Sequence, residues 1–302
     1  MSLFSRLVVS TTHAAPVEKV ITGTKPGKAL ARRFVAGDTL DEAVDAARGL
    51  NHKGLLVSLD LLGEEVHDEA SARAACDEYL ESLDRIESEG LDANISVKLT
   101  QLGLSIDRDL TVDSIGRLAE RAAEIGTTVT IDMEDSRFTD DTVEIYAASQ
   151  AQYGNLGIAL QSYMKRTPDD LIRLMPLGGH IRLCKGAYVE PAEIALKTKS
   201  AVDAAYARQL KMLMASEVTR PAVATHDLDL IDLTRGMAPQ RIAPFEFQML
   251  YGVQVSLQEE LVSQGFPLRI YLPFGSQWYP YLTRRMAERP ANALFFVRSL
   301  FG

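Results

Sequence analysis

The sequence predicts an α/β chain closed as a (βα)8 barrel of TIM type, preceded by an N-terminal helical arm. Three observations predict it. Short β-rich runs alternate with longer amphipathic runs from about residue 54 to the end. No Pro/Gly/Ser-rich linker or low-complexity tract divides the chain, so eight strand–helix units fit one barrel better than an open doubly wound sheet. The C-terminal ends of the strand runs are also unusually polar, and in such a barrel that end carries the active site.

Residues 1 to about 50 precede the first strand; TLDEAVDAARGLNHKG reads as a helix, so this segment is expected to pack on the barrel as an arm, with the barrel over 51–302. The strand runs are, in order, GLLVSLDLL, ANISVKLT, TTVTIDME, LGIALQSY, HIRLCKGAY, PAVATHD, FEFQML and PLRIYLP. Between them lie helical runs such as DEASARAACDEYLESLDRIESEG, TVDSIGRLAERAAEIG and LDLIDLTRG, each closed by a glycine of C-cap type.

At 302 residues and 46% hydrophobic, the chain can bury a large core. Thirty-two basic against 41 acidic residues give a formal charge of −9, which argues against nucleic acid as a partner and against electrostatic anchoring on anionic lipid. Cys76 and Cys184 form no CxxC, so neither a disulfide framework nor a zinc knuckle is indicated, and a reducing cytoplasm is the expected compartment. No apolar run approaches the roughly 18 residues of a membrane span. The C-terminal ALFFVRSLFG makes one greasy face, expected to pack on the body of the protein, with membrane or partner contact as the alternative.

The polar strand ends are Asp60, Lys98, Asp132, Gln161, Arg182 with Lys185, Thr225 with His226, Glu246 with Gln248, and Tyr271. A buried strand rarely holds ionisable groups unless they pair or act on something. His226 is the only histidine among them and there is no HxH or HExxH, so a closed zinc site lacks ligands. There is no GxSxG elbow and no GxGxxG after a strand. Lys98 and Lys185 leave a Schiff-base aldolase open as a rival. The cationic groups Lys98, Arg182 and Lys185, with hydrogen-bonding Gln161, Thr225, His226 and Gln248, suit a large, polar, phosphate-bearing cofactor.

Near the C-terminus, YLTRRMAERP places Tyr281, Arg284 and Arg285 at i, i+3 and i+4 of a helix, with Glu288 four residues beyond Arg284. Two guanidinium forks side by side match the oxygens of a small carboxylate. A solvated helix face is the plain alternative.

The stretches ISVKLT, TIDMED, LQSYMKRT, IRLCKGAY, ATHD, FEFQMLYG and YLPFGSQWYPYLTRRMAERPAN, in that order along nearly the whole barrel, resemble the flavin-dependent proline dehydrogenases. The resemblance implies a distorted barrel that holds FAD, oxidises L-proline to Δ1-pyrroline-5-carboxylate and passes electrons to a membrane quinone. It implies that Arg284 and Arg285 bind the proline carboxylate and that Glu288 orients an arginine. Lys98, Asp132, Leu250, Tyr271 and Tyr281 would line the proline pocket. Gln161, Arg182, Lys185, Gly186, Ala187, Thr225 and His226 would hold FAD, with Tyr188 a wall shared by cofactor and substrate. No aldehyde dehydrogenase domain follows the last helix, and the GSQWYPY loop with Trp278 looks like the single-activity branch. A separate pyrroline-5-carboxylate dehydrogenase is then expected downstream, and the chain is expected in the cytoplasm, peripheral to the inner face of the cell membrane. The oligomeric state is left open. A flavin reductase of the folate type and a non-catalytic flavin or proline sensor are further rivals, but a sensor is expected to lack Lys98, Asp132 or one of the paired arginines, and all four are present.

Overall fold

A computed structural model describes residues 31–63 and 65–288, with side chains from 284 onward outside the description. The greasy C-terminal segment, the side chains of Arg284, Arg285 and Glu288, and the first 30 residues of the arm therefore lie outside the described residues.

The eight strands are β1 (Leu56–Leu61), β2 (Ala93–Val97), β3 (Val129–Ile131), β4 (Leu156–Gln161), β5 (His180–Cys184), β6 (Arg220–Ala224), β7 (Glu246–Leu250) and β8 (Leu268–Phe274). All neighbours pair in parallel, and β8 returns to β1 with Ser58 opposite Tyr271, so the sheet closes. Helix α1 (Leu40–Asn51) precedes β1. Then α2 (Glu69–Ser88), α3 (Arg108–Glu124), α4 (Thr139–Tyr153), α5 (Thr167–Leu174), α6 (Lys199–Ala215), α7 (Leu228–Met237), α8 (Val255–Ser263) and α9 (Trp278–Glu288) each follow one strand.

Local chemistry sets the helix ends. Thr39 and Glu42 form a capping box at α1, whose buried Ala43, Val44 and Ala47 join the core outside β1 and β8. Asp68, Asp107, Thr198 and Asp227 cap α2, α3, α6 and α7 by accepting backbone N–H bonds. Gly90 and Gly126, at φ 60° and 72°, turn the chain out of α2 and α3 as expected, whereas Gly236 lies inside α7 and closes nothing.

Alternation along the strands divides the barrel into two chemistries. Val57, Leu59, Ile95, Val97, Val129, Ile131, Ile158, Leu183, Val223, Phe247, Ile270 and Leu272 are buried in the apolar core together with residues of the surrounding helices. The intervening residues meet across the lumen, and most are polar. At its N-terminal end, Arg269 holds both oxygens of Glu246 at 2.7 and 3.1 Å and donates to the Val57 carbonyl at 2.8 Å. Asn94 donates to Thr130 at 3.2 Å, and Thr130 Oγ1 lies 2.6 Å from His180 Nε2. A Cβ on Gly157 would stand 2.1 Å from that nitrogen, so only glycine fits there. Glu246 is therefore no part of the polar C-terminal rim expected from the sequence: it is the first residue of β7, at the opposite end. Its carboxylate neutralises Arg269, one strand over.

His180 is buried, and desolvation lowers its pKa from 6.5 to about 3. The folded state thus binds fewer protons than the unfolded chain between those values, so stability should fall as pH drops through this window, by up to about 1.4 kcal/mol per pH unit. Urea unfolding of wild type and His180→Gln between pH 7 and pH 5 should give a visibly flatter profile for the variant.

Candidate active site

The C-terminal half of the lumen is organised around Arg182, the third residue of β5 and not a strand end as the sequence suggested. Its Nε donates to Gln248 Oε1 at 2.6 Å, its Nη2 to Ser96 Oγ at 2.8 Å, and its Nη1 to Asp132 Oδ1. Only 6% of its side chain is exposed. Gln248 passes the contact down to Glu246 at 2.6 Å, joining the upper and lower networks.

Asp132 follows β3 and is the hub of the mouth. Its Oδ2 accepts the Tyr271 hydroxyl at 2.7 Å and lies 3.6 Å from Lys98 Nζ. Lys98, just past β2, is held more closely by Asp60 of β1 at 2.5 Å. Burial opposes the charge on Lys98, but Asp60 and then Asp132 outweigh it and hold the ammonium well above its ordinary range. Burial pushes the Asp60 carboxyl up against the pull of Lys98. Burial, reinforced by the two carboxylates, also raises the Tyr271 hydroxyl, which keeps its proton and donates it. Arg182 stacks 5.1 Å from the Tyr271 ring centroid, completing a closed group of two cations, two carboxylates and a phenol.

Tyr271 also packs against a second apolar cluster formed by Ala31, Phe34, Val35, Leu62, Trp278, Tyr279, Tyr281 and Leu282. This cluster seats α9 beside the mouth, with Tyr281 buried in it. Leu250, at the end of β7, is in register with Tyr271 and donates its N–H to His226 Nε2 at 3.2 Å. In a neutral His226 ring the proton is then on Nδ1.

The remaining predicted residues lie around the ends of β4, β5 and β6. Gln161 Nε2 donates to the Met133 and Glu134 carbonyls at 3.1 and 3.2 Å, which leaves its Oε1 as an acceptor. Thr225 Oγ1 accepts the Asp227 N–H at 3.1 Å. Gly186, at φ 116°, turns the chain away from β5, and among the described residues the N–H groups of Gly186 and Ala187 donate to no acceptor. Lys185 is not paired with Asp132 or Arg182; it sits between Asp203 at 2.5 Å and Asp227 at 2.7 Å, with Lys199 beside them. The mouth is thus charge-balanced rather than cationic, and its donors are N–H and O–H groups.

Sequence reading gave Asp60 no role beyond its strand end and passed over Ser96, Asp203 and Asp227. Ser96 stands two residues before Lys98, so strand period alone places both on one face. Asp227 follows His226 directly. Asp203 comes from α6 and has no local signal. Among the described residues no group of three His, Cys, Asp or Glu could hold a metal ion.

Asp132→Asn would leave the buried Arg182 facing neutral groups only. We expect a loss of about 3–5 kcal/mol in urea unfolding. Asp203→Asn, in the half-exposed Lys185 cluster, should cost no more than about 1 kcal/mol.

A family model described as proline dehydrogenase matches residues 43–298. Proline dehydrogenase 1 of Bacillus subtilis subsp. natto is 37% identical over 282 residues, covering 92% of each chain. Proline dehydrogenase of Deinococcus radiodurans is 37% identical over 283 residues, covering 90% of each. The bifunctional protein PutA of Klebsiella aerogenes is 28% identical, and the match spans only 24% of its length. Among solved structures, proline utilization A (PutA) from Bdellovibrio bacteriovorus, inactivated by N-propargylglycine, superposes with a TM-score of 0.81 at 24% identity. That superposition covers 87% of this chain and about a third (33%) of the other, and it bears on the fold. A barrel with this polar mouth, matched along nearly its whole length at this identity, belongs to the proline dehydrogenase family and with it to the oxidoreductases.

Proposed function

We propose that this chain oxidises L-proline to Δ1-pyrroline-5-carboxylate, with FAD as its cofactor and a quinone as the final electron acceptor. The observation that carries the reading is the Lys98–Asp132–Tyr271 group, whose tyrosine packs against the cluster that holds Tyr281 of α9, in a chain of this family. The substrate has a carboxylate, an amine and a small apolar ring, and each finds a counterpart. Helix α9 runs through Tyr281, Arg284, Arg285 and Glu288, which supports the one-face spacing of the paired arginines. We assign the carboxylate to those arginines, with Glu288 orienting one of them. The ring goes to Tyr271, Tyr281 and Leu250.

Lys98 is charged and doubly paired, so it acts as a cationic neighbour and takes no proton; this also weighs against an aldolase, which needs a neutral lysine. Asp132 already accepts from Tyr271 and Arg182 and is assigned to orienting them. The amine loses its proton on binding, favoured by the positive charge that Arg284 and Arg285 add to a mouth in which Lys98 is already matched by Asp60 and Asp132. The donor set at the ends of β4 to β6 fits a flat, phosphate-bearing cofactor: the Gly186 and Ala187 amides, the Thr225 hydroxyl and His226 as donors, Gln161 Oε1 as an acceptor, with Arg182 and Lys185 below. When bound, FAD would supply the two-electron acceptor for the ring carbon beside nitrogen. Tyr188 is assigned as the wall between the two sites.

Among the described residues no helix is long and apolar enough to cross a membrane. Quinone contact is assigned to a peripheral association at the inner face of the cell membrane, as the family resemblance implies. The second oxidation is assigned to a separate polypeptide, because the relatives of matching length carry the proline dehydrogenase name alone while the bifunctional PutA proteins are about four times longer.

An anaerobic visible spectrum of the purified protein tests the reading. Addition of L-proline should bleach a flavin band and D-proline should leave it unchanged; a flavin band indifferent to L-proline would overturn the reading. Arg284→Lys keeps the charge and loses the fork, so KM for proline should rise on the order of 10–100-fold in steady-state assays. An unchanged KM would remove the carboxylate assignment.

A further inference from the structure

The connection from β5 to α6, residues 185–198, carries Gly186, Ala187 and Tyr188 away from the C-terminal end of β5. Its far half is tied to the neighbouring β4–α5 loop. Met164 and Ala195 form an antiparallel bridge, Leu196 N–H donates to Tyr163 O at 2.8 Å, and Lys165 N–H donates to Ile194 O at 2.9 Å. Tyr163 packs over Gly186, where a Cβ would stand 2.2 Å from its ring. Those ties fasten the connection to the β4–α5 loop; a second fastening joins it to the loop after β3.

Glu190 supplies it. The residue is 6% exposed, one carboxylate oxygen accepts the Ser136 N–H at 2.7 Å, and the other accepts the Ser136 hydroxyl at 2.6 Å. Among the described residues no basic side chain forms an ion pair with that carboxylate. Lys197 Nζ donates to the Glu190 backbone carbonyl instead. Ser136 lies four residues beyond Asp132, in a loop that Gln161 grips through the Met133 and Glu134 carbonyls. The same loop is fastened on its other side in the same way: both oxygens of Glu134 take the N–H and hydroxyl of Thr100, at 3.1 and 2.5 Å, just past Lys98. Burying a carboxylate against a neutral residue is costly, and it gains directional rigidity where two hydrogen bonds from one serine fix its orientation.

We propose that Glu190 is a positioning residue: through Ser136 it locks the Tyr188 segment to the loop that begins at Asp132, so that the wall on one side of the substrate and the hub on the other move as one body. The inference rests on the proposed proline dehydrogenase reading, which gives Tyr188 its place. A loosened wall misplaces the reacting partners without touching the groups assigned to the carboxylate, so the effect belongs in kcat.

The test uses the purified flavoprotein as wild type, Glu190→Gln and Ser136→Ala. Glu190→Gln keeps the shape and removes the charge-assisted acceptor; Ser136→Ala removes only the hydroxyl donor and guards against a Glu190 variant that fails to fold. Both should quicken amide hydrogen exchange in 185–193, lower kcat on the order of 10-fold, the equivalent of one charge-assisted hydrogen bond, and leave KM for proline within about threefold. The flavin band should change its fine structure, a readout that loss of stability alone does not move. Faster exchange with unchanged kcat and spectrum would overturn the inference, as would unchanged exchange in both variants. A wild type that L-proline does not bleach overturns the underlying reading instead, so the two failures are told apart.

Discussion

A guanidinium sits inside the barrel, and the structure arranges itself around that charge. Arg182 is nearly sealed from water, and its three nitrogens reach three different strands or strand ends, at Gln248, Ser96 and Asp132. A buried cation of this kind is tolerated only when its counter-charge is ionised and its N–H groups are all directed at acceptors. Asp132 meets the first need, and because it does so its other oxygen is free to accept Tyr271 and attract Lys98. Asp60 then balances Lys98. One buried arginine thus accounts for the strand-end residues that surround it.

This filling differs from the branched apolar layers usual inside such barrels. Replacing ionic groups by packed hydrocarbons often stabilises a protein, so the polar lumen is not explained by stability. It gives fixed directions instead: Arg182, Asp132 and Arg269 each meet groups from two or more other strands or strand ends. The lower network of Glu246, Arg269, Asn94, Thr130 and His180 extends the same lattice to the far end, joined through Gln248. The apolar core lies outside the strands, between sheet and helices, and carries the burden of stability there.

Charge balance at the mouth bears on what it can receive. Two carboxylates and two cations cancel within the group of Asp60, Asp132, Lys98 and Arg182, and Lys185 with Lys199 is matched by Asp203 and Asp227. An anionic substrate group entering such a site needs further positive charge from elsewhere. In the proposed function that charge is assigned to Arg284 and Arg285, which follow Tyr281 on α9.

The sequence by itself determined the barrel. Eight short β-rich runs, the amphipathic runs between them and the closing glycines are local properties, and the parallel closed order follows from their alternation. It also determined which residues are chemically conspicuous, because a charged residue on a strand face is visible without coordinates. What it left open was depth and partner. Arg182 and Glu246 read as rim residues because a run of letters does not say where a strand starts in the barrel; Glu246 opens β7 and Arg182 lies mid-strand. Lys185 read as a cationic group of the mouth without its counter-charges, because Asp203, its nearest partner, comes from α6 and meets it only when that helix folds back on the sheet. The clamps of Glu134 on Thr100 and of Glu190 on Ser136 join loops 34 and 54 residues apart in the chain. Such pairings are decided by which strands become neighbours, and that is settled only when the sheet closes on itself.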